Sequence, residues 1–251
     1  MIIYTYVYMY TGIYYPKGGF IKISEALESI SESLGVKIIK SCHVTSVKKD
    51  VDKDEYIVTF GDNNDHVRTK RVISNMDVPA FEASDLLPFD QRDTNVHAYR
   101  SSISVLSLSI AFDFEITCLD HHTLFFSDDY SGSWDCVEKS GRKDDGRPEF
   151  NVTACNFYVH APSRTDHSVC PTGHDAITVL VPIPLLSMES SHHNDADEID
   201  DAFIKSVRNE VLLRLSKAQE VSYTELEQHI VVEKHRAAKA WQSVSVVIVL
   251  K

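Results

Sequence analysis

The chain has 251 residues, of which 43% are hydrophobic, so it can bury the core of one large domain or of two modest ones. Its 37 acidic residues outnumber 25 basic ones, and the net charge of −12 would repel the phosphate backbone of a nucleic acid. No apolar run reaches the roughly 18 to 20 residues that a membrane-spanning helix needs. The sequence therefore argues against nucleic acid as a partner and predicts a folded chain without a spanning helix.

The cysteines and histidines give no metal-binding pattern. The five cysteines are widely spaced and form no CxxC pair, which predicts reduced thiols in an intracellular compartment that stays reducing. His121-His122 and His192-His193 are adjacent pairs. Neighbouring residues of a strand point to opposite faces, so neither pair is expected to bind one metal ion.

The first third of the chain predicts one helix and several strands. Apolar residues recur at helical spacing from Ile23 to Leu34, and Gly35 stands where a helix of this phase would end. Residues 36–39 and 44–47 predict two strands. Residues 56–60 and 67–73 flank a turn-forming cluster at 61–65 and predict a hairpin.

The remainder of the chain has the pattern of an antiparallel sheet. Polar residues over 86–99 predict a domain boundary near residue 90. Beyond it, short apolar strands are predicted over 103–110, 122–126, 150–159 and 176–181. A helical stripe follows over 199–215. The predicted organisation is a first domain over 1–90, a second over 91–241 and a separate tail over 242–251.

The chain contains neither the GxGxxG turn of dinucleotide-binding proteins nor the Gly-x-Ser-x-Gly elbow of serine hydrolases. Five longer segments are more specific indicators of a protein family than such short motifs. They are GIYYPKGGF (12–20), VISNMD (72–77), HHTLFF (121–126), YVHAPSRTD (158–166) and VLVPIP (179–184). In this order they resemble the bacterial and fungal phytoene desaturases, which are FAD-dependent carotenoid desaturases.

The resemblance implies a mixed α/β (α+β) fold of the amine-oxidase flavoprotein type, in incomplete form. Residues 1–90 would be part of an FAD-binding domain that lacks the GxGxxG unit, and residues 91–241 would be a substrate domain built on an antiparallel sheet. The tail over 242–251 matches nothing in the family. The polar residues of the boundary and the change to short strands agree with this division.

The resemblance also implies the reaction. Enzymes of the family transfer a hydride from a long polyene to flavin N5 and lose a proton, so the flavin carries the chemistry and no catalytic side chain is assigned. The implied partners are an apolar polyene and a peripheral contact with a membrane, without metal. Three alternatives stay open: a carotenoid isomerase relative, a retinol saturase relative, and a truncated interaction protein without catalysis.

Site residues are carried over from the matching segments and from the stretch that follows the first of them, where the helix, Gly35 and the strand up to Val44 have the spacing that the family shows. Val44 corresponds to a strand-end valine on the adenine side of FAD, while its alternative role is that of a core residue. The glycine pair before the helix lies near flavin in the family, and its alternative role is a helix-start turn. The implied contacts to FAD are Val44, Ser74, Asn75, Gly18 and Gly19, and those to substrate are Pro16 and Lys17.

Two expectations concern this chain by itself. Because it lacks a pyrophosphate-binding turn, we expect it to purify colourless and to take up no FAD at micromolar concentration. Because the predicted helix over 23–34 and the strand over 36–39 lack packing partners, we expect insoluble expression. The alternative outcome is a product that binds a hydrophobic dye without a cooperative melting transition. Both expectations hold unless detergent or the missing family segments are supplied.

Overall fold

A computed structural model describes residues 14–76, 103–133, 152–183 and 201–237, with Val78, Phe81, Ser84, Leu86 and the backbone of Val247–Leu250. The predicted boundary near residue 90 lies outside the described residues. The described helices and strands are α1 Ile21–Ser33, β1 Val44–Asp50, β2 Glu55–Phe60, β3 Asp65–Thr69, β4 Arg71–Ser74, β5 Ser104–Phe112, β6 His122–Phe125, β7 Phe157–His160, β8 Asp175–Ile183, α2 Asp201–Gln219, α3 Tyr223–Gln228, β9 Ile230–Arg236 and β10 Val247–Leu250, with 3-10 turns at Val152–Ala154 and Pro162–Arg164.

The chain forms two compact units that do not follow the linear division predicted from the sequence. The sheet unit joins Met1–Ser33 to Ser102–Ala240, and the hairpin unit joins Leu34–Ser101 to Trp241–Lys251. The first helix thus belongs with the later antiparallel sheet, because the turn before it is bonded to that part of the chain. The tail belongs with the first hairpin, because β10 pairs with β4. The FAD and substrate roles given to the two predicted domains stay predictions.

The sheet unit confirms the predicted antiparallel sheet. Its five strands lie in the order β6-β7-β8-β5-β9, and all neighbours are antiparallel. The central pair β5 and β8 is matched along nine residues, from Ser104 opposite Ile183 to Phe112 opposite Asp175. Every second residue of β8 is buried, as expected for a strand with one face on the core. The predicted helix over 199–215 is confirmed as α2, which adds Val207, Val211, Leu212 and Leu215 to this core.

One helix and one strand of the sheet unit were not predicted, and the strand predicted over 150–159 is found only as β7, after the 3-10 turn at Val152–Ala154. The short helix α3 begins after Ser222, whose hydroxyl accepts a hydrogen bond from the Glu225 amide at 3.1 Å. It leads into β9, which pairs with β5 at the edge of the sheet. Most of β9 is exposed and it carries Glu233, Lys234 and Arg236, so it lacks the apolar run by which the other strands are recognised.

The hairpin unit confirms the predicted hairpin. Strands β1, β2 and β3 form an antiparallel sheet in that order, and Val47 and Val58 are its buried apolar residues. The turn between β2 and β3 places Gly61 and Asn64 at positive φ, as its sequence predicts. The predicted strand over 67–73 is interrupted before β4, where the Thr69 hydroxyl accepts a hydrogen bond from the Arg71 amide at 3.3 Å.

The predicted strand over 36–39 is wrong. These residues are described and belong to no strand, and Val36, Ile38 and Ile39 are exposed. A strand is stabilised by hydrogen bonds to a neighbouring strand, and none of the described strands pairs with this segment. Residues 36–39 have the apolar composition of a strand, but the pairing with a neighbouring strand is absent from the described part of the chain.

The predicted helix is confirmed as α1, and Gly35 follows it at a φ of +84°. None of its 13 residues is buried. The apolar stripe, defined as Ile23, Leu27 and Ile30, is 47% to 60% exposed. Large apolar patches on a protein surface mark contacts with other molecules or a hazard of aggregation.

We expect the apolar stripe to account for a measurable share of hydrophobic-dye binding. The double variant Leu27→Gln and Ile30→Gln should lower dye fluorescence, because each of these side chains offers roughly 1.5 to 3 kcal/mol of burial to an apolar ligand. The control is Val231→Gln, which removes a side chain that is 60% exposed but lies outside the stripe. Equal dye binding by the double variant and the control would show that the stripe is covered in solution.

Candidate functional site

Two of the motif segments meet in the sheet unit. The Gly18 amide donates a hydrogen bond to Asp166 Oδ2 at 2.5 Å, although the two residues are 148 positions apart. Beside this bond lies a cleft of about 270 Å³. We call it the motif cleft, and it is lined by Tyr15, Lys17, Thr165, Asp166, His167 and Ser168.

The position of Asp166 is set by a buried ion pair next to it. Arg164 Nη2 lies 2.7 Å from Asp175 Oδ2, and the Ser163 hydroxyl donates to Asp175 Oδ1 at 2.5 Å. Arg164 also donates to the carbonyl oxygens of Ile116 at 2.6 Å and Leu119 at 2.8 Å. Asp175 is the first residue of β8 and only 1% exposed. The 3-10 turn at Pro162–Arg164 is thereby fixed to the sheet, and Asp166 follows directly.

The Asp166 carboxylate is saturated with hydrogen bonds. Oδ1 accepts from the Ser168 hydroxyl at 2.6 Å and the Ser168 amide at 3.0 Å, while Oδ2 accepts from Gly18. These bonds, that from the Ser168 hydroxyl first and that from the Gly18 amide next, lower the pKa of Asp166 to about 2. The group is therefore a carboxylate at neutral pH.

The turn that carries Gly18 needs both of its glycines. Gly18 and Gly19 have φ values of +87° and +86°, in the region that residues with a Cβ rarely adopt. The Gly19 amide donates to the carbonyl of Pro16 at 2.9 Å and closes the turn. The Lys22 amide in turn donates to the Gly19 carbonyl at 3.0 Å, so the turn continues directly into α1.

A histidine pair lies beside the motif cleft. The Nε2 atoms of His121 and His160 are 3.1 Å apart, and His121 Nδ1 is 2.5 Å from the Thr165 hydroxyl. The ring of Tyr15 contacts both imidazoles edge-on, at centroid distances of 4.9 and 5.8 Å. Burial lowers the pKa of His121 and of His160, and the neighbouring histidines lower both further. Both shifts in pKa favour the neutral form of the imidazole.

The expectation that His121 and His122 point to opposite faces is wrong. Their rings are in contact, with centroids 4.4 Å apart. The reason is that His121 lies in a bend before β6 and only His122 belongs to the strand, so the alternation of a strand does not apply to them. Over the described ranges, no group of three or more His, Cys, Asp or Glu side chains is arranged to hold a metal ion.

The structure places the predicted site residues in both units. Pro16, Lys17, Gly18 and Gly19 form the turn at the motif cleft, with Lys17 exposed. The other three belong to the hairpin unit. Val44 is the half-buried first residue of β1, Ser74 ends β4 with its hydroxyl accepting from the Met76 amide at 3.2 Å, and Asn75 follows exposed.

Four residues of the site were given no role from the sequence: Tyr15, His121, His160 and Asp166. All four lie within segments noted for the family resemblance. The segments themselves were therefore the available signal. The segments do not predict which residue of one segment contacts which residue of another.

The glycine turn before α1 does not fit the pyrophosphate of FAD. A phosphate held by a turn needs free amide donors, but the Gly18 amide already donates to Asp166 and the Gly19 amide to the Pro16 carbonyl. The carboxylate would also repel a phosphate at this position. The glycine turn instead fits close approach by an uncharged group, since Gly18 and Gly19 carry no Cβ. None of the helices in the described ranges is long and apolar enough to cross a membrane.

We expect acidification to destabilise the sheet unit through the histidine pair. Both imidazoles have a folded pKa below the ordinary 6.5, so the unfolded chain binds more protons than the folded one just below that pH. The contribution of the neutral histidine pair to the free energy of unfolding is fully present above about pH 6.5. It is lost as the pH falls through the lowered pKa values of the two imidazoles.

The measurement is the urea midpoint by far-UV circular dichroism in mild detergent, at about pH 7 and about pH 5. His160→Gln should reduce the difference between the two midpoints. The control His174→Gln alters a half-buried histidine whose ring lies outside the pair and contacts the carbonyl of Thr172. If the urea midpoint changes equally with pH in the original chain and in both variants, the histidine pair is excluded as the cause of the pH dependence.

Curated relatives cover most of this chain. The phytoene desaturase of Fusarium fujikuroi is 31% identical over 185 residues, which is 74% of this chain and 31% of that protein. The 4,4'-diapolycopene oxygenase of Methylomonas sp is 30% identical over 92% of this chain and 42% of that protein. The zeta-carotene-forming phytoene desaturase of Myxococcus xanthus is 30% identical over 89% of this chain and 39% of that protein.

The chain spans less than half the length of each of these relatives. No protein-family model matches it. Among solved structures, an oxidoreductase from Methanosarcina mazei superposes with a TM-score of 0.48 at 14% identity, over 89% of this chain and 43% of that chain. The family assignment rests on the sequence relatives. By these, the chain belongs to the family of phytoene and carotenoid desaturases.

Proposed function

We propose that the function of this chain is FAD-dependent oxidation, namely the desaturation of an apolar polyene such as phytoene in carotenoid biosynthesis. One observation carries the proposal: the Gly18 to Asp166 hydrogen bond joins two segments that separately resemble the desaturase family. The names of the relatives from Fusarium fujikuroi and Myxococcus xanthus specify phytoene desaturation. Because the 251 residues contain no GxGxxG turn, we expect the isolated chain to be inactive.

In the proposed reaction the cofactor supplies the redox chemistry. When bound, FAD would accept a hydride from the polyene. Val44, Ser74, Asn75, Gly18 and Gly19 are the residues that we propose to contact FAD. Pro16 and Lys17 are proposed to face the polyene. The chain's own contribution is then to bind, to orient and to exclude water, for which the rigid turn at the motif cleft is suited.

An apolar polyene also leads us to propose peripheral contact with a membrane. A long hydrocarbon is scarcely soluble in water, so the enzyme must take it from a lipid phase. The exposed apolar stripe of α1 supports such a contact. The net charge of −12 opposes binding to anionic lipids, so contact would depend on apolar area.

The test is a replacement experiment in a bacterial host that accumulates phytoene. The matching segment of the Myxococcus xanthus enzyme is replaced by this chain, which covers 39% of that protein. We expect the chimera to convert phytoene into products with a longer conjugated system, read from the absorption spectra of cell extracts. The isolated chain should be colourless and leave phytoene unchanged.

The matched variant is Gly18→Val in the chimera. A β-branched residue at a φ of +87° is strained, so it should distort the turn and lower the rate by more than about tenfold. A chimera that folds and shows flavin absorbance but leaves phytoene untouched would contradict the proposed function. Conversion of a double bond without added conjugation would point to isomerisation instead.

A further inference from the structure

The turn at the motif cleft is held on both sides of Pro16 and Lys17. On one side the Gly18 amide donates to Asp166, and on the other the Tyr15 ring lies against the histidine pair. Within the turn the Gly19 amide closes on the Pro16 carbonyl at 2.9 Å. The path of the chain through Pro16 and Lys17 is therefore set by residues that lie more than 100 positions later in the sequence of the sheet unit.

Asp166 is itself rigidly supported. Its amide donates to the Pro162 carbonyl at 2.9 Å, within the 3-10 turn that the buried pair of Arg164 and Asp175 fixes to β8. Ser168 occupies Oδ1 with two hydrogen bonds, which leaves Oδ2 directed at Gly18. The residue is 4% exposed, so little water competes for the carboxylate. A hydrogen bond to a charged acceptor in such a place is about twice as strong as one between neutral groups.

We propose that Asp166 is a positioning residue for the desaturation reaction, because its carboxylate holds the Pro16 and Lys17 segment in place by accepting the Gly18 amide. The inference rests on the proposed function. A hydrocarbon offers no polar group by which an enzyme could align it, so alignment depends on the walls around it. Reacting atoms must come within about 3 to 3.5 Å in the correct orientation, and a small displacement of a wall is costly in rate.

The structural part of the test uses the chain itself, kept in mild detergent. Asp166→Asn keeps the size of the side chain but removes its charge, and its NH₂ group must oppose either Gly18 or Ser168. We expect trypsin to cut the peptide bond between Lys17 and Gly18 at least about tenfold faster, as the loss of a charge-assisted bond implies. Mass spectrometry of the released fragment 1–17 gives the rate, and hydrogen exchange of the Gly18 amide should accelerate in parallel.

Two matched controls separate this bond from general destabilisation. Ser168→Ala removes the hydroxyl bond to Oδ1 but leaves the Gly18 bond, so cleavage should stay within about threefold of the original chain. Asp113→Asn removes an acidic group that pairs with His229 in a largely exposed position, and cleavage should not change. A Gly18 amide that stays equally protected in Asp166→Asn would overturn the proposal.

The functional part uses the chimera described above. Asp166→Asn should lower kcat at least about tenfold, with flavin content and KM near those of the parent chimera. Asp166→Glu, which keeps the negative charge, should recover part of the lost rate. An unchanged kcat despite a loosened turn would overturn the role in the reaction. A parent chimera that folds and shows flavin absorbance but is inactive would overturn the proposed function and the reaction role with it, while the trypsin rates still report whether Asp166 holds the turn.

Discussion

The buried ion pair between Arg164 and Asp175 is the interaction on which the candidate site depends. Asp175 begins the central strand β8 and is almost fully buried, so its charge must be compensated within the protein. Compensation comes from Arg164, from the Ser163 hydroxyl and from the Ile116 amide. Arg164 also satisfies two carbonyl groups in the segment after β5. A buried pair of this kind adds little net stability, but it fixes which backbone segments lie next to one another.

This arrangement links the apolar core to the motif cleft. The core lies between α2 and the strands of the sheet, with Leu106, Leu108 and Val179 fully buried at its centre. Asp175 is the first residue of β8 and lies where the core meets the 3-10 turn at Pro162–Arg164. The cleft is therefore supported by the best-packed part of the chain. By contrast, α1 begins at the cleft and then leaves its apolar stripe uncovered among the described residues.

Local patterns in the sequence predicted most of the elements of the fold. Alternation in β8 and helical spacing in α2 each report burial of one face, which is a property of the segment itself. The failures arise where structure depends on a distant partner. Residues 36–39 have the composition of a strand but no described neighbour, and β9 has a neighbour but a charged composition. Propensity in a strand reflects its surroundings more than its own residues.

The same limit applies to the site. The segments around Gly18 and Asp166 were identified from the resemblance, and a helix-start turn was the alternative role given to the two glycines, which the structure shows at positive φ. No local rule predicts that one particular amide donates to a carboxylate 148 positions away. The histidines were misjudged for a related reason, since the alternation rule holds only inside a strand and His121 lies before it.

The most direct test replaces the ion pair with apolar residues. The double variant Arg164→Met and Asp175→Leu removes both charges together, and such replacements are often neutral or stabilising for the fold as a whole. Hydrogen exchange of the amides is then compared between Leu108 in β5, which reports the sheet, and Asp166, which reports the site. We predict that Leu108 stays protected while Asp166 exchanges at least about tenfold faster. Protection of both amides at the original level would contradict the dependence of the site on the ion pair.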